Sequence, residues 1–295
     1  MATITALSWA VLAIGLKLAL HWFSSGTIVW LRLILAFLVL LAFFSWKRRE
    51  WLTILRHPPW LGIISAFMIS ANYYGFMKGV ELTTASNSQI LIQIAPLGFA
   101  ISSILLFREI PTLMQFLGMT LAIAGFGFFY WDQALVSLQD MVRFQTGNIW
   151  VVFAALTWIV FALLQKQLLK TYKPQQYNLL IYGVSAIVLL PTATFSEMSD
   201  VSFWQAMLIL FLALNTVVAY GALSEALTRI PAAQVSMIIA VNPLLTLAIM
   251  TYLTKTGVEW IKGEPVGWRG MVGAVLVVAG VISTVASPPR LSTRT

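Results

Sequence analysis

Ser86, Gln89, Gln93, Pro96 and Ser103 recur at helical spacing within one apolar run, so they share one face of a helix. Amide side chains in such a run need partners, which a neighbouring helix, water or a solute can supply. Pro96 has no N–H, which frees the carbonyl of Ile92 to face a cavity. This is chemistry for holding a polar solute through hydrogen bonds. The stripe is either a cavity wall or a set of interhelical bonds, and its one-sided spacing favours the wall. A later apolar run carries Ser236, Ala240 and Pro243 on the corresponding face, with Asn242 beside the proline. That face is smaller and less polar, so a site built from both is asymmetric.

Aromatic residues extend the candidate site. Trp9 and Trp158 lie well inside their runs, away from the interfacial belt where tryptophan is common. Facing a cavity, each would stack on an apolar part of a solute or attract an ammonium group. Bulky packing between helices is the equal alternative. Asn72, Tyr74 and Tyr220 join them as candidate solute contacts. The tyrosines, Tyr73 included, stand nearer the ends of their runs, where gating and interfacial anchoring both fit. Lys17 and Arg32 would steer an anion, with Lys166 as a counterpart of Lys17. Snorkelling of these cations to the headgroups is the cheaper explanation.

Other chemistry is missing. The chain has no cysteine, which excludes disulfides, thiolate metal sites and a cysteine nucleophile. Its two histidines, His21 and His57, stand at the edges of apolar runs. No constellation for acid–base, nucleophilic or metal catalysis occurs at membrane depth, so neither an enzyme nor a cofactor is expected. There is no Walker-type loop for a nucleotide. No Asp or Glu lies deep in a run, and Glu81 and Glu225 are at run ends. A buried carboxylate is the usual carrier in proton-coupled pumps, so facilitated diffusion or exchange is expected.

The elements that must position these residues are membrane helices. Sixty per cent of the 295 residues are hydrophobic and 9% are charged, unlike an ordinary soluble domain. The apolar runs are about 20 residues long, enough to cross the hydrocarbon core as a helix. They predict ten spans. The first five are Ile4–Leu20, Thr27–Trp46, Leu61–Gly79, Ala85–Phe107 and Thr112–Tyr130. The others are Gly147–Gln165, Gln176–Phe195, Phe203–Ser224, Ala232–Thr254 and Val266–Ala286. Proline and glycine punctuate short loops at Pro58-Pro59, Pro111, Pro174, Pro231, Pro265 and Pro288-Pro289. The longest predicted link, Tyr130 to Thr146, joins the halves. The first run has no basic start and matches an internal run, so it is taken as a span rather than a cleaved signal.

The net charge of +8 sits in the loops, which argues against nucleic acid as a partner. Lys47, Arg48, Arg49, Arg56, Arg108, Lys166, Lys170, Lys173, Arg229, Arg290 and Arg294 crowd one set of loops and tails. Lys78, Arg143, Lys255, Lys262 and Arg269 lie in the other. The richer set should be cytoplasmic, with both termini inside. Each half then has an odd number of spans, so the second enters the membrane in the opposite sense.

The halves also repeat. Leu7-Ser8-Trp9-Ala10-Val11-Leu12-Ala13, followed by Lys17, returns as Leu156-Thr157-Trp158-Ile159-Val160-Phe161-Ala162, followed by Lys166. Tyr74-Gly75 pairs with Tyr220-Gly221, Pro96 with Pro243, and Glu109 with Glu264. Gly118 and Gly125 pair with Gly273 and Gly280. The glutamates precede helix starts and the glycines allow close packing, so both are taken as structural, the glycines within one chain or at a homodimer contact. A longer outer loop is expected around Lys255–Gly263. The expected architecture is all-α and polytopic: ten transmembrane helices as two inverted five-helix repeats, residues 1–145 and 146–295.

On these motifs the chain resembles the EamA-type, ten-helix branch of the drug/metabolite transporter superfamily. The resemblance rests on Trp9, Pro96, Glu109 and Gly118 to Gly125, each with a partner in the second half. It implies a secondary transporter of small amphipathic metabolites in the bacterial inner membrane, with amino acid export as the leading activity. Uptake of an organic solute and a non-transporting scaffold or lipid-handling protein are the alternatives. The implied partners are a small-molecule solute and the bilayer, for a monomer or a homodimer, with no cofactor and no metal.

Overall fold

The fold is that of a computed structural model, and the description covers residues 1–98, 112–229, 232–261 and 263–286. Ser103, Arg108, Glu109, Pro111, Pro231, Lys262, Pro288, Pro289, Arg290 and Arg294 lie outside it, as does the side chain of Ser236. Every element among the described residues is helical. Inside a bilayer a helix pairs its own backbone groups, which long apolar runs require. The principal helices of the first half are α1 (Ala2–Ala19), α2 (Ser25–Lys47), α3 (Trp60–Leu82), α4 (Ala85–Leu91) and α5 (Leu113–Val136). Those of the second are α6 (Met141–Leu168), α7 (Pro174–Leu189), α8 (Phe203–Arg229), α9 (Ala232–Ile239), α10 (Asn242–Thr256) and α11 (Trp268–Ala286). Seven helices among the described residues are long and apolar enough to cross a membrane, which makes this a multi-pass membrane protein.

Local chemistry sets the helix ends. The side chains of Ser24 and Thr84 accept the N–H groups of Thr27 and Asn87 at the starts of α2 and α4. Thr112 and Gln115 form a reciprocal capping box on α5. Pro174 opens α7, and Gly257, at φ 66°, closes α10 in a left-handed conformation.

Two predicted spans are broken midway. The span starting at Ala85 turns at residues 92–93 and resumes as helix at 94–98. The span starting at Ala232 turns at 240–241 before α10. Each turn lies just before the proline of its half, Pro96 or Pro243. The predicted mid-chain link is far shorter than expected. Helix α5 runs on to Val136, a single 3₁₀ turn covers Leu138–Asp140, and Asp140 caps α6 by accepting the Arg143 N–H.

Helices of the two halves pack on each other: α1 on α8, α3 on α6, α2 on α7, α4 on α10 and α5 on α11. The glycines govern the last pair. A Cβ added to Gly118 would lie 2.7 Å from the Gly280 carbonyl oxygen, and one on Gly125 would lie 2.8 Å from that of Gly273. The two small-residue faces are therefore spent on each other within one chain.

One end of the bundle is knit together. Lys17 Nζ donates to the carbonyls of Val80 and Thr83, both at 2.8 Å, and so closes the C-terminus of α3 instead of snorkelling. Glu81 accepts Ser25 Oγ and pairs with Lys78 at 2.8 Å, while Arg143 donates to the Glu81 carbonyl. Glu197 accepts the Ser24 N–H at 2.8 Å. Glu264, expected to serve its own following helix, instead accepts the N–H groups of Ala85 and Ser86 at 2.7 and 3.0 Å. It thus caps α4 of the other half, because its loop folds over that exposed N-terminus. Asp132 accepts the Gly267 N–H at 3.0 Å. Asp132 and Glu264, at 9% and 3% exposure, are more buried than Glu81 and Glu225. At the opposite end the ion pairs among the described residues are local ones, Arg48–Glu50 and Arg229–Glu225.

The α5–α11 crossing predicts that Gly280→Ala lowers stability by about 1–3 kcal/mol through overpacking, because the new methyl meets the backbone of Ala122 and Gly118. Gly127→Ala, with nothing within 4 Å of its Cβ, should leave the melting temperature in detergent unchanged or raised. Equal melting of the two variants would contradict the packing.

Candidate functional site

The two helix breaks face each other across a cavity of about 110 Å³. Helix α1 contributes Trp9, Leu12 and Leu16 to its wall, and α2 contributes Arg32. Asn72, Tyr73 and Phe76 come from α3, Trp158 from α6 and Tyr220 from α8. The first break adds Gln89, Ile92, Gln93, Ala95 and Pro96, and the second adds Ile239, Ala240 and Asn242. The wall is mostly apolar and aromatic with a few amides, the composition of a small-molecule site.

The breaks explain the amides. At the second break Leu244 N–H bonds Val241 O at 3.1 Å, a shortened turn that passes over the Ala240 carbonyl. Gln93 Nε2 reaches across and donates to Ala240 O at 2.9 Å. Gln89 Nε2 donates to Trp9 O at 3.1 Å, and Asn242 Nδ2 donates to Gln89 Oε1 at 3.2 Å. The glutamines therefore line the cavity and also join helices, combining the two readings of the stripe. Asn242 Oδ1 is buried without a hydrogen-bond partner. Asn72 Nδ2 donates to the Ala154 carbonyl at 2.8 Å, which fastens α3 to α6 beside the cavity.

The Ile92 carbonyl, expected from the sequence to be freed by Pro96 for the cavity, is already engaged. It accepts the Ala95 N–H at 2.9 Å, because the turn at 92–93 tightens and brings that donor into reach.

The aromatic residues form a chain. The Trp9 and Tyr220 rings lie 5.5 Å apart, Tyr220 and Tyr73 5.6 Å apart, and the Arg32 guanidinium carbon lies 5.5 Å from the Tyr73 ring centre. Arg32 is 3% exposed and does not reach a headgroup. It is the only charged residue among the described lining residues. Its Nε and Nη2 donate to Thr216 Oγ1 at 3.3 and 3.0 Å.

Other predicted site residues lie elsewhere. Tyr74 turns away from the cavity and meets Trp150 edge-on at 5.8 Å. Ser86 is buried at the N-terminus of α4, beneath Glu264. Pro243 is buried in the first turn of α10 but is not part of the wall. Lys17 is engaged at the end of α3 and Lys166 is exposed. Tyr73, Phe76, Leu12 and Leu16 are lining residues that the polar pattern did not select. Their signal is helical phase: Phe76 is one turn from Asn72, and Leu12 and Leu16 continue the Trp9 face. Among the described residues no cluster of His, Asp or Glu is fit to hold a metal.

Residues 1–131 and 145–286 each match the EamA-like transporter family. An uncharacterized transporter of Haemophilus influenzae is 30% identical over 282 residues, which covers 95% of this chain and 92% of that protein. The uncharacterized inner membrane transporter YhbE of Escherichia coli is 30% identical over 285 residues, with 96% and 89% covered. A solved protein crystal structure with 14% identity superimposes with a TM-score of 0.66 over 96% of this chain and 95% of its own. That likeness concerns the fold alone.

The cross-break bond predicts that Gln93→Leu orphans the Ala240 carbonyl and costs roughly 1–2 kcal/mol. Solute exchange in liposomes should fall several-fold while the protein still purifies folded. Leu91→Ala, on another face, should be milder in both measurements. Equal loss in the two variants would reduce the stripe to packing.

Proposed function

The chain belongs to the EamA-like transporter family, and from that premise we propose that it is a secondary transporter working by alternating access. Its substrates are small amphipathic metabolites, amino acids foremost, and its direction is export across the bacterial inner membrane. The observation that carries this reading is the cavity between two helix breaks, away from both ends of the bundle. Irregular backbone inside a bilayer is tolerated where it lines such a cavity, and repeat-built transporters place their solutes there.

The architecture proposed is ten spans in two inverted five-helix repeats, residues 1–145 and 146–295. The repeated Trp, Pro and Gly positions support it, as does the packing of first-half helices on second-half helices. An inverted repeat gives two equivalent ways to close. The knit end, with Lys17, Glu81, Glu197 and Glu264 bridging helices, is the closed side in this state. Opening it would break these bonds while the other end forms its own.

The positive-inside rule places both termini in the cytoplasm, and the inner-membrane name of the YhbE relative supports that membrane. Exchange is the proposed mode, since the buried carboxylates Glu264 and Asp132 are engaged with backbone N–H groups at helix ends.

The native chain lacks cysteine, so single cysteines report topology. In intact cells an impermeant thiol reagent should label Ser199→Cys and spare Arg49→Cys; the reverse pattern would overturn the orientation. Purified protein in liposomes loaded with one solute should exchange it for labelled solute with no pH difference, across a panel of amino acids, amines and sugars. Failure with every member of the panel would overturn the transport reading.

A further inference from the structure

Arg32 is a buried cation with no counter-charge among the described residues. An arginine keeps its charge, and a desolvated charge is costly unless an anion or several good acceptors meet it. Here the guanidinium offers five N–H groups, and the oxygen bonded to it among the described residues is Thr216 Oγ1. That hydroxyl is itself oriented by its bond to the Leu212 carbonyl at 2.8 Å, which turns its lone pairs towards Arg32. None of the ion pairs among the described residues includes Arg32. The Tyr73 ring face supplies a weak electrostatic partner that leaves the edge of the guanidinium open. Asn242 Oδ1, on the same wall, is buried without a hydrogen-bond partner.

These groups have a common explanation in a solute. We infer that Arg32 docks the carboxylate of the transported molecule, and that the substrate class is amphipathic organic carboxylates. The inference rests on the transport reading and adds the recognised group to it. A planar guanidinium matches a carboxylate through paired N–H···O bonds, which an ammonium ion of lysine would not reproduce. The apolar body of the solute then lies against Trp9, Trp158 and Phe76. No carboxylate stands among the described lining residues to receive an ammonium group, so the carboxylate is the required feature and the amine is dispensable. Amino acids and their des-amino analogues both belong to the class. Amines, amides and sugars do not.

The test uses the full chain in liposomes, with phenylalanine, 3-phenylpropanoate, phenylalaninamide and phenethylamine competing in exchange, and the matching four compounds on the leucine skeleton. The acids should compete within about threefold of each other. The amides and amines should be weaker by roughly tenfold to a hundredfold, the worth of a charge-assisted contact. Arg32→Gln should lose that discrimination, whereas Arg32→Lys should keep it at reduced affinity. Thr216→Val, which retains the charge, should keep it too. Thermal stabilisation of the unmodified protein by 3-phenylpropanoate, but not by phenethylamine, gives the same answer without a variant.

Equal competition by acids and amines, or by chloride and phosphate, would overturn the assignment while leaving transport intact. Undiminished discrimination in Arg32→Gln would do the same. No exchange of these or of the wider panel would remove the transport reading, and the assignment with it.

Discussion

A backbone carbonyl inside a bilayer cannot turn to lipid for a hydrogen bond, so each break in a spanning helix must be answered from within the protein. The described residues include two such breaks, and each helps to answer the other. Gln93, from the first, donates to the Ala240 carbonyl exposed by the second. Asn242, from the second, donates to Gln89, which in turn holds the Trp9 carbonyl of α1. These bonds bring α1, the first broken helix and the second into one assembly, and the cavity is the space their turns leave.

The surrounding helices keep that assembly in register. On one side α5 and α11 approach until glycine faces glycine, and any Cβ at Gly118 or Gly125 would meet a carbonyl of the other helix. At one end Glu264 caps α4 from the opposite half, and Lys17 closes α3 from α1. Both contacts pair orphan groups at helix ends, as the bilayer environment demands. They also join elements that must separate if that end is to open. The proposed transport cycle therefore acts on bonds already required for folding, and a modest free-energy difference between two such sets would suffice.

Much of this was legible in the sequence. Apolar length marked helices able to cross a membrane, helical phase placed Gln89 and Gln93 on one face, and the repeated glycines marked a close helix crossing. What could not be read was direction within a turn. Tyr73 and Tyr74 are adjacent with the same chemistry, and helix packing alone decides that Tyr73 faces the cavity while Tyr74 meets Trp150. Arg32 sits near a helix start, where snorkelling normally costs less than burial. Its burial depends on Thr216 and Tyr73, which no local pattern connects to it. Glu264 precedes its own helix in sequence yet caps another, a pairing made by the loop's fold. The mid-chain link reads as long in the sequence because its polar residues, Asp132 and Asp140, sit inside or cap helices that continue past the apolar run.

The central claim is that the solute occupies the cavity between the breaks. Site-directed protection tests it most directly, since single cysteines can be placed in a chain that has none. Cysteines at Leu12 and Ile239, both on the wall, and at Leu135, exposed on the outer surface of α5, would be alkylated in purified protein with and without 3-phenylpropanoate or phenylalanine. The account predicts slower alkylation at positions 12 and 239 when solute is present and no change at 135. Unchanged rates at both wall positions, with a solute that the same preparation exchanges, would place the path elsewhere and contradict it.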